Sequence, residues 1–210
     1  MKNPTYVPAI IMLTASLALI GAGCYQVGNQ VGEAVVQPIS VPLEAGKKAK
    51  QDLSDVQAKL NQQGEAFSDE VTVALILTEG STAPTDAQIK ETVGCNDQVA
   101  LVKVKRAEQT DNVLSDILKS LLAVRDQVPE GLYNGLAAAK ITVDKVVDQP
   151  DGTTEVRLKG QFLSGGVCDD PRIKAQLEDT IKRITKKYKI FLNGTESEYR
   201  CFGDMSGQCK

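Results

Sequence analysis

The side chains able to do covalent or ligand chemistry are few, and their spacing decides among the chemistries. Five cysteines stand at Cys24, Cys95, Cys168, Cys201 and Cys209, and the chain has no histidine. Without histidine there is no Ser-His-Asp or Cys-His relay and no His-ligated metal. Two cysteines sit in similar acidic settings, Gly94-Cys95-Asn96-Asp97 and Val167-Cys168-Asp169-Asp170. A disulfide between them would gather Asp97, Asp169 and Asp170, oxygen donors of the kind a calcium ion takes or the carboxylates of a glycosidase. Turn formation and helix capping account for the same three residues without an ion. Four Phe, five Tyr and no Trp also leave few rings to stack a sugar. Ser164, in Ser-Gly-Gly-Val, lacks the helix start of a nucleophile elbow, so a Ser-Lys dyad is its one route to activation. Zinc is disfavoured as well, because no Cys-x-x-Cys pair is present. We therefore expect no catalytic residue, no cofactor and no metal site.

The cysteines are better explained by compartment. Lys2 precedes an uncharged apolar run over residues 7–20, then Gly21-Ala22-Gly23-Cys24, and the next charge is Glu33. A charged start, a short apolar middle and small residues form an export signal. Small residues ending at Cys24 resemble a bacterial lipoprotein signal, in which that cysteine carries the lipid. An uncut helical anchor is the alternative, since the run extends toward the length of a short span. Both place the remainder outside the cytosol, where Cys95, Cys168, Cys201 and Cys209 form an even set. Four cysteines allow three pairings, and sequence does not choose between them. The preferred one joins Cys95 to Cys168 by their matching settings, and Cys201 to Cys209 across a Gly-rich turn.

These residues must be positioned by a domain of ordinary size, for the chain has 210 residues. Residues 1–24 are expected to be signal or anchor and 25–65 a flexible, partly helical tether. Within that tether Leu53, Val56 and Leu60 recur at helical spacing, a thin apolar stripe. The folded domain is expected over 66–197, followed by a cysteine-bracketed tail, 198–210. Residues 71–77 and 98–105 alternate as strands. Thr110 or Asp111 caps a helix striped by Val113, Leu114, Ile117, Leu118, Leu121 and Leu122. Asp151-Gly152 turns a hairpin of residues 140–147 and 154–162. A second helix is capped by Asp169 or Asp170, with Pro171 in its first turn and a stripe of Ile173, Leu177, Ile181 and Ile184. Residues 189–192 form a last strand. The expected fold class is α+β, a single domain with a small mixed or antiparallel sheet and two helices packed on it.

The ordered pieces resemble the GerMN domain, the sporulation and spore-germination module of bacterial envelope lipoproteins. Gly94-Cys95-Asn96-Asp97 and Leu101-Val102-Lys103-Val104-Lys105-Arg106 are similar to its Gly-Cys-Gly-Asp and Leu-Val-Pro-Val-x-Arg stretches. Gly131-Leu132-Tyr133-Asn134-Gly135-Leu136 resembles the loop before its hairpin, and Val156-Arg157-Leu158-Lys159-Gly160-Gln161-Phe162 its Val-x-Leu-Ser-Gly-x-Phe strand. Cys168-Asp169-Asp170-Pro171-Arg172 and Ile190-Phe191-Leu192-Asn193-Gly194 resemble its second helix start and closing turn. The likeness spans about residues 67–195 and departs at Asn96, Lys103 and Lys159. It implies a non-enzymatic envelope domain, used in some members for assembly with other envelope proteins, and transfers no catalytic residue.

The balance of 24 Lys+Arg against 27 Asp+Glu, with 4% aromatics, argues against nucleic-acid binding. Lys182, Arg183, Lys186, Lys187 and Lys189 form one basic cluster, expected to be a solvated face and otherwise a dock for anionic lipid, wall polymer or an acidic partner. Asn193-Gly194-Thr195 fits a glycosylation acceptor, which a bacterial-type signal makes an improbable site of modification. The expected function is a membrane-tethered extracytoplasmic binding or scaffolding protein, its partners envelope proteins or cell-wall components. A cell-wall-associated hydrolase and a homo-oligomeric structural subunit are the alternatives. A deep polar cleft with convergent carboxylates would favour the hydrolase.

Overall fold

The computed structural model describes residues 43–125 and 128–204, with side chains from residue 51 onward. The anchor segment with Cys24, the first part of the tether and the tail from residue 205 lie outside the described residues. The fold class is α+β, and its strands divide between two sheets rather than one. The first contains β1 (Glu70–Leu77), β2 (Gln88–Val93), β3 (Asp97–Lys105) and β4 (Leu132–Tyr133), in the order β2-β3-β1-β4. The second contains β5 (Lys140–Asp148), β6 (Thr154–Gln161) and β7 (Tyr188–Leu192); β6 pairs antiparallel with β5 and parallel with β7.

Residues 71–77 are apolar at every position but Thr72 because β1 is buried on both faces. Val71, Val73 and Leu75 join the main core, and Ala74 and Ile76 join a smaller cluster with Val99 and Leu101. Helix α2 (Val113–Ala123) sends Val113, Leu114, Ile117, Leu118 and Leu121 into that core. Its cap is Asn112, not Thr110 or Asp111: the Asn112 side chain accepts from Ser115 N–H at 2.9 Å. Thr110 is occupied instead by the Asp116 carboxylate. Helix α3 (Asp169–Lys182) buries Ile173, Leu177 and Ile181, with Ile184 just beyond its end. Neither Asp169 nor Asp170 is its cap; Cys168 holds that position without a side-chain bond.

The expected domain boundary at residue 66 cuts through packing. Helix α1 (Leu43–Ala66) occupies most of what the sequence assigns to a flexible tether. Its last turn is held by the chain beyond it. Arg106 Nη1 donates to the carbonyls of Glu65, Ala66 and Ser68 at 3.0, 3.1 and 3.2 Å, closing the helix end as a side-chain cap. Its other amine, Nη2, donates to Asp116 at 2.9 Å, and this ion pair is 3% and 0% exposed. At the other end of the domain, a short helix α4 (Glu196–Cys201) crosses the expected boundary at 197, with Thr195 capping it through Glu198 N–H.

Helix α3 also completes the first sheet. On the side of β1 away from β3, the two-residue β4 pairs only with Ile76 and Leu77. Upstream of it, Ala74 N–H donates to Thr180 Oγ1 at 2.9 Å and Ala74 C=O accepts from Gln176 at 3.3 Å. Thr72 C=O accepts from Arg183 at 2.8 Å, and Thr72 N–H donates to Glu65 at 3.3 Å. Polar side chains therefore take the place of a neighbouring strand. Gln176 extends this set by accepting from Gly135 N–H at 2.8 Å and donating to Asn134 at 3.0 Å. Replacement of Gln176 by Leu strands two backbone groups in the core, Gly135 N–H and Ala74 C=O, while Asn134 Oδ1 keeps Leu136 N–H. We expect a loss of about 2–3 kcal/mol in urea unfolding, larger than for any exposed α3 position.

Candidate functional site

The turn between β2 and β3 brings the first acidic cysteine setting to the start of α3, where the second lies. Cys95 and Cys168 are disulfide-bonded, with Cα atoms 5.8 Å apart. Cys95 and Asn96 both adopt left-handed backbone (φ 53° and 60°), a conformation Asn tolerates better than most residues. The bridge gathers two of the three acids the sequence predicts, Asp97 and Asp169, while Asp170 lies beside Gly203, and a guanidinium stands with the pair. Arg172 Nε donates to Asp97 Oδ2 at 2.7 Å, and Arg172 Nη1 donates to Asp169 Oδ1 at 3.0 Å. Asp97 is buried and also accepts from Glu79 N–H at 3.0 Å. Asp169 also accepts from Tyr133 Oη at 3.2 Å and from Gly165 N–H at 2.8 Å.

This arrangement changes the chemistry open to the carboxylates. Hydrogen bonding to Asp97, more than any other contact, pushes the Arg172 guanidinium above its ordinary pKa. Burial, then the neighbouring Asp169, raises the Tyr133 phenol, over which Arg172 stacks at 5.3 Å. Carboxylates held by an internal cation are oriented as structural acceptors, not aimed at a shared ligand. Among the described residues no group of three or more His, Cys, Asp or Glu has metal-binding geometry. Arg172 was the residue to weigh beside the acids. Its spacing three after Asp169 on a helix was the available signal.

The other sequence candidates have local work. Ser164 Oγ donates to Gly166 C=O and accepts from Gly166 N–H, closing a turn. Four members of the basic cluster have acidic partners: Lys182 with Glu178 and Asp179, Arg183 with Glu65, Lys187 with Asp151, and Lys189 with Glu196. Asn193 Nδ2 donates to Gly160 C=O at 3.0 Å while its Oδ1 accepts from Gly160 N–H at 2.9 Å, so the amide serves as a strand-like bridge. Gly160 itself has φ +114°, and a Cβ there would overlap the Lys140 carbonyl. Cys201 is a half-cystine, and Cys209, its expected partner, lies outside the described residues.

The least satisfied surface is elsewhere. Helix α1 turns Ala58 and Glu65 toward the domain, where both are buried. Leu53, Val56 and Leu60 point the other way, 71%, 55% and 57% exposed, and Phe67 just past the helix is 89% exposed. On the inner side, a groove of about 580 Å³ runs between α1 and the start of α2, the β5–β6 turn and the segment before β7. Its lining mixes Asp55, Asp111 and Asp148 with Lys59, Lys186 and Lys187. Three separate segments supply those acids, and two of them are held by their own neighbours: Asp55 accepts from Gln51 and Asp148 from Thr154. Among the described residues no helix is long and apolar enough to cross a membrane. Comparison with family models, curated proteins and solved structures finds no match.

Proposed function

We propose that the chain is a membrane-tethered extracytoplasmic binding or scaffolding protein on a GerMN-like α+β domain, non-enzymatic, acting by protein–protein contact at the cell envelope. The observation that carries this reading is the outward apolar row Leu53, Val56, Leu60 on α1. Large aliphatic side chains in a row on an exposed helix mark a contact surface. The oxidised Cys95–Cys168 bridge supports a location outside the cytosol. The export-type segment ending at Cys24 supplies the tether, by lipid or as an uncut helix.

Two measurements test the reading. Cys24→Ala is expected to shift the protein from the membrane to the soluble extracytoplasmic fraction; unchanged retention assigns the tether to an uncut helix. A photo-crosslinker at position 60 is expected to form adducts with protein in intact cells. One at exposed Lys103, on strand β3, serves as the control. Equal yields at the two positions remove the case for α1 as the contact face.

A further inference from the structure

Taking α1 as a contact face, we propose that its partner is a second copy of this chain, packed antiparallel along the row Leu53, Val56 and Leu60. The spacing of that row is three then four, the a and d positions of a heptad. Ala58 and Glu65, the positions buried against the domain, fall on the opposite side of the helix, so the seam faces away from the body and a second helix meets no obstruction from it.

The charges flanking the seam choose the direction. Asp52 and Lys59 are both exposed and lie seven residues apart on one flank, both at g positions. In an antiparallel pair g faces g. When Leu53 of one copy packs on Val56 of the other, each Asp52 meets the other copy's Lys59, forming two identical pairs about the twofold axis. A parallel in-register pair places g against e instead. Asp52 would then face Gln57 and Lys59 would face Gly64, with no charge satisfied.

The same sequence weighs against a lipid surface as the occupant. Helix α1 has four lysines, Lys47, Lys48, Lys50 and Lys59, and four acids, Glu44, Asp52, Asp55 and Glu65, for a net charge of zero. Helices that lie on membranes carry an excess of Lys and Arg on the polar face. A neutral helix with a narrow seam is built for another helix.

The test uses the full chain purified in detergent, its protein mass read by light scattering and its association by sedimentation velocity. The wild type is expected to be dimeric. Leu53→Asp/Leu60→Asp is expected to be monomeric with an unchanged far-UV spectrum, since both side chains are exposed. Asp52→Lys alone and Lys59→Asp alone each make both flanking pairs repulsive and should raise the dimer dissociation constant about tenfold. The double swap Asp52→Lys/Lys59→Asp restores opposite charges and should return the wild-type constant. A monomeric wild type overturns the proposal, as does a dimer indifferent to Leu53→Asp/Leu60→Asp. A double swap no better than the single changes overturns the antiparallel register. If the wild type is monomeric while position 60 still crosslinks to protein in cells, the homodimer falls and the contact-face reading stands. If instead the seam variant loses only its binding to vesicles of anionic phospholipid, both fall.

Discussion

Replacement of Arg106 by Met is expected to lower the stability of the domain by about 3–5 kcal/mol, the cost of leaving a buried charge without its partner. Arg106 and Asp116 are almost wholly excluded from water. Asp116 then retains only Thr110, whose N–H and hydroxyl donate to its two oxygens. The same substitution removes Arg106 from the carbonyls of Glu65 and Ala66 at the end of α1 and of Ser68 just past it, which adds to the loss. Arg106 is imperfectly served even in the native fold, since its Nε is buried without a hydrogen-bond partner. For this reason the double replacement Arg106→Met/Asp116→Leu should recover much of the loss, because it removes both charges together. Urea unfolding of the four proteins closes the cycle. A double replacement as unstable as the single one would show that the contacts to α1, not the ion pair, dominate.

The second large effect is loss of the Cys95–Cys168 bridge. It links residues 73 apart in sequence, and a loop of that length contributes about 4 kcal/mol by restricting the unfolded chain. Cys95→Ser/Cys168→Ser should therefore approach Arg106→Met in severity. The cost is also local, because the bridge holds the β2–β3 turn, with two left-handed residues, against the start of α3. Detaching it loosens Asp97 from Arg172, the buried carboxylate's cationic contact. Denaturation of the two proteins under non-reducing conditions measures the difference. Alkylation before reduction supplies the control: neither Cys95 nor Cys168 should react in the wild type, and labelling of both would sink the assignment.

Much of the framework was legible because α2, α3 and the β5–β6 hairpin each show one buried face, while β1 is a continuous apolar run. The α2 and α3 stripes and the Asp151-Gly152 hairpin read directly as period 3.6 or period 2, and the run around Val73 and Leu75 as a strand. Strand β2, Gln-Ile-Lys-Glu-Thr-Val, was missed because nearly every one of its residues is exposed, so no face selects for apolar side chains. Helix α1 was underestimated for a related reason. Its three aliphatic residues face solvent, while its attachment depends on Ala58, Glu65 and the distant Arg106. No periodicity reports a contact made by a guanidinium forty residues away.

The acidic cluster failed to read for the same long-range reason. Asp97 and Asp169 were gathered as the cysteine settings suggested, but what they meet depends on the rotation of α3, which places Arg172 inward. Capping likewise moved by one residue to Asn112, because Asp116 claims Thr110 through the Arg106 network. Local propensity names the residues suited to a task, and the tertiary contacts decide which of them takes it.

Strand β1 is the most β-prone segment of the domain, and such a segment with an open side invites neighbouring chains to add on as fresh strands, the first step toward fibrils. Glu65, Gln176, Thr180 and Arg183 close that side with side chains. A chain in which α3 has not yet docked is most exposed to that hazard. Since α3 follows β1 by almost a hundred residues, β1 stays capable of templating until late in synthesis.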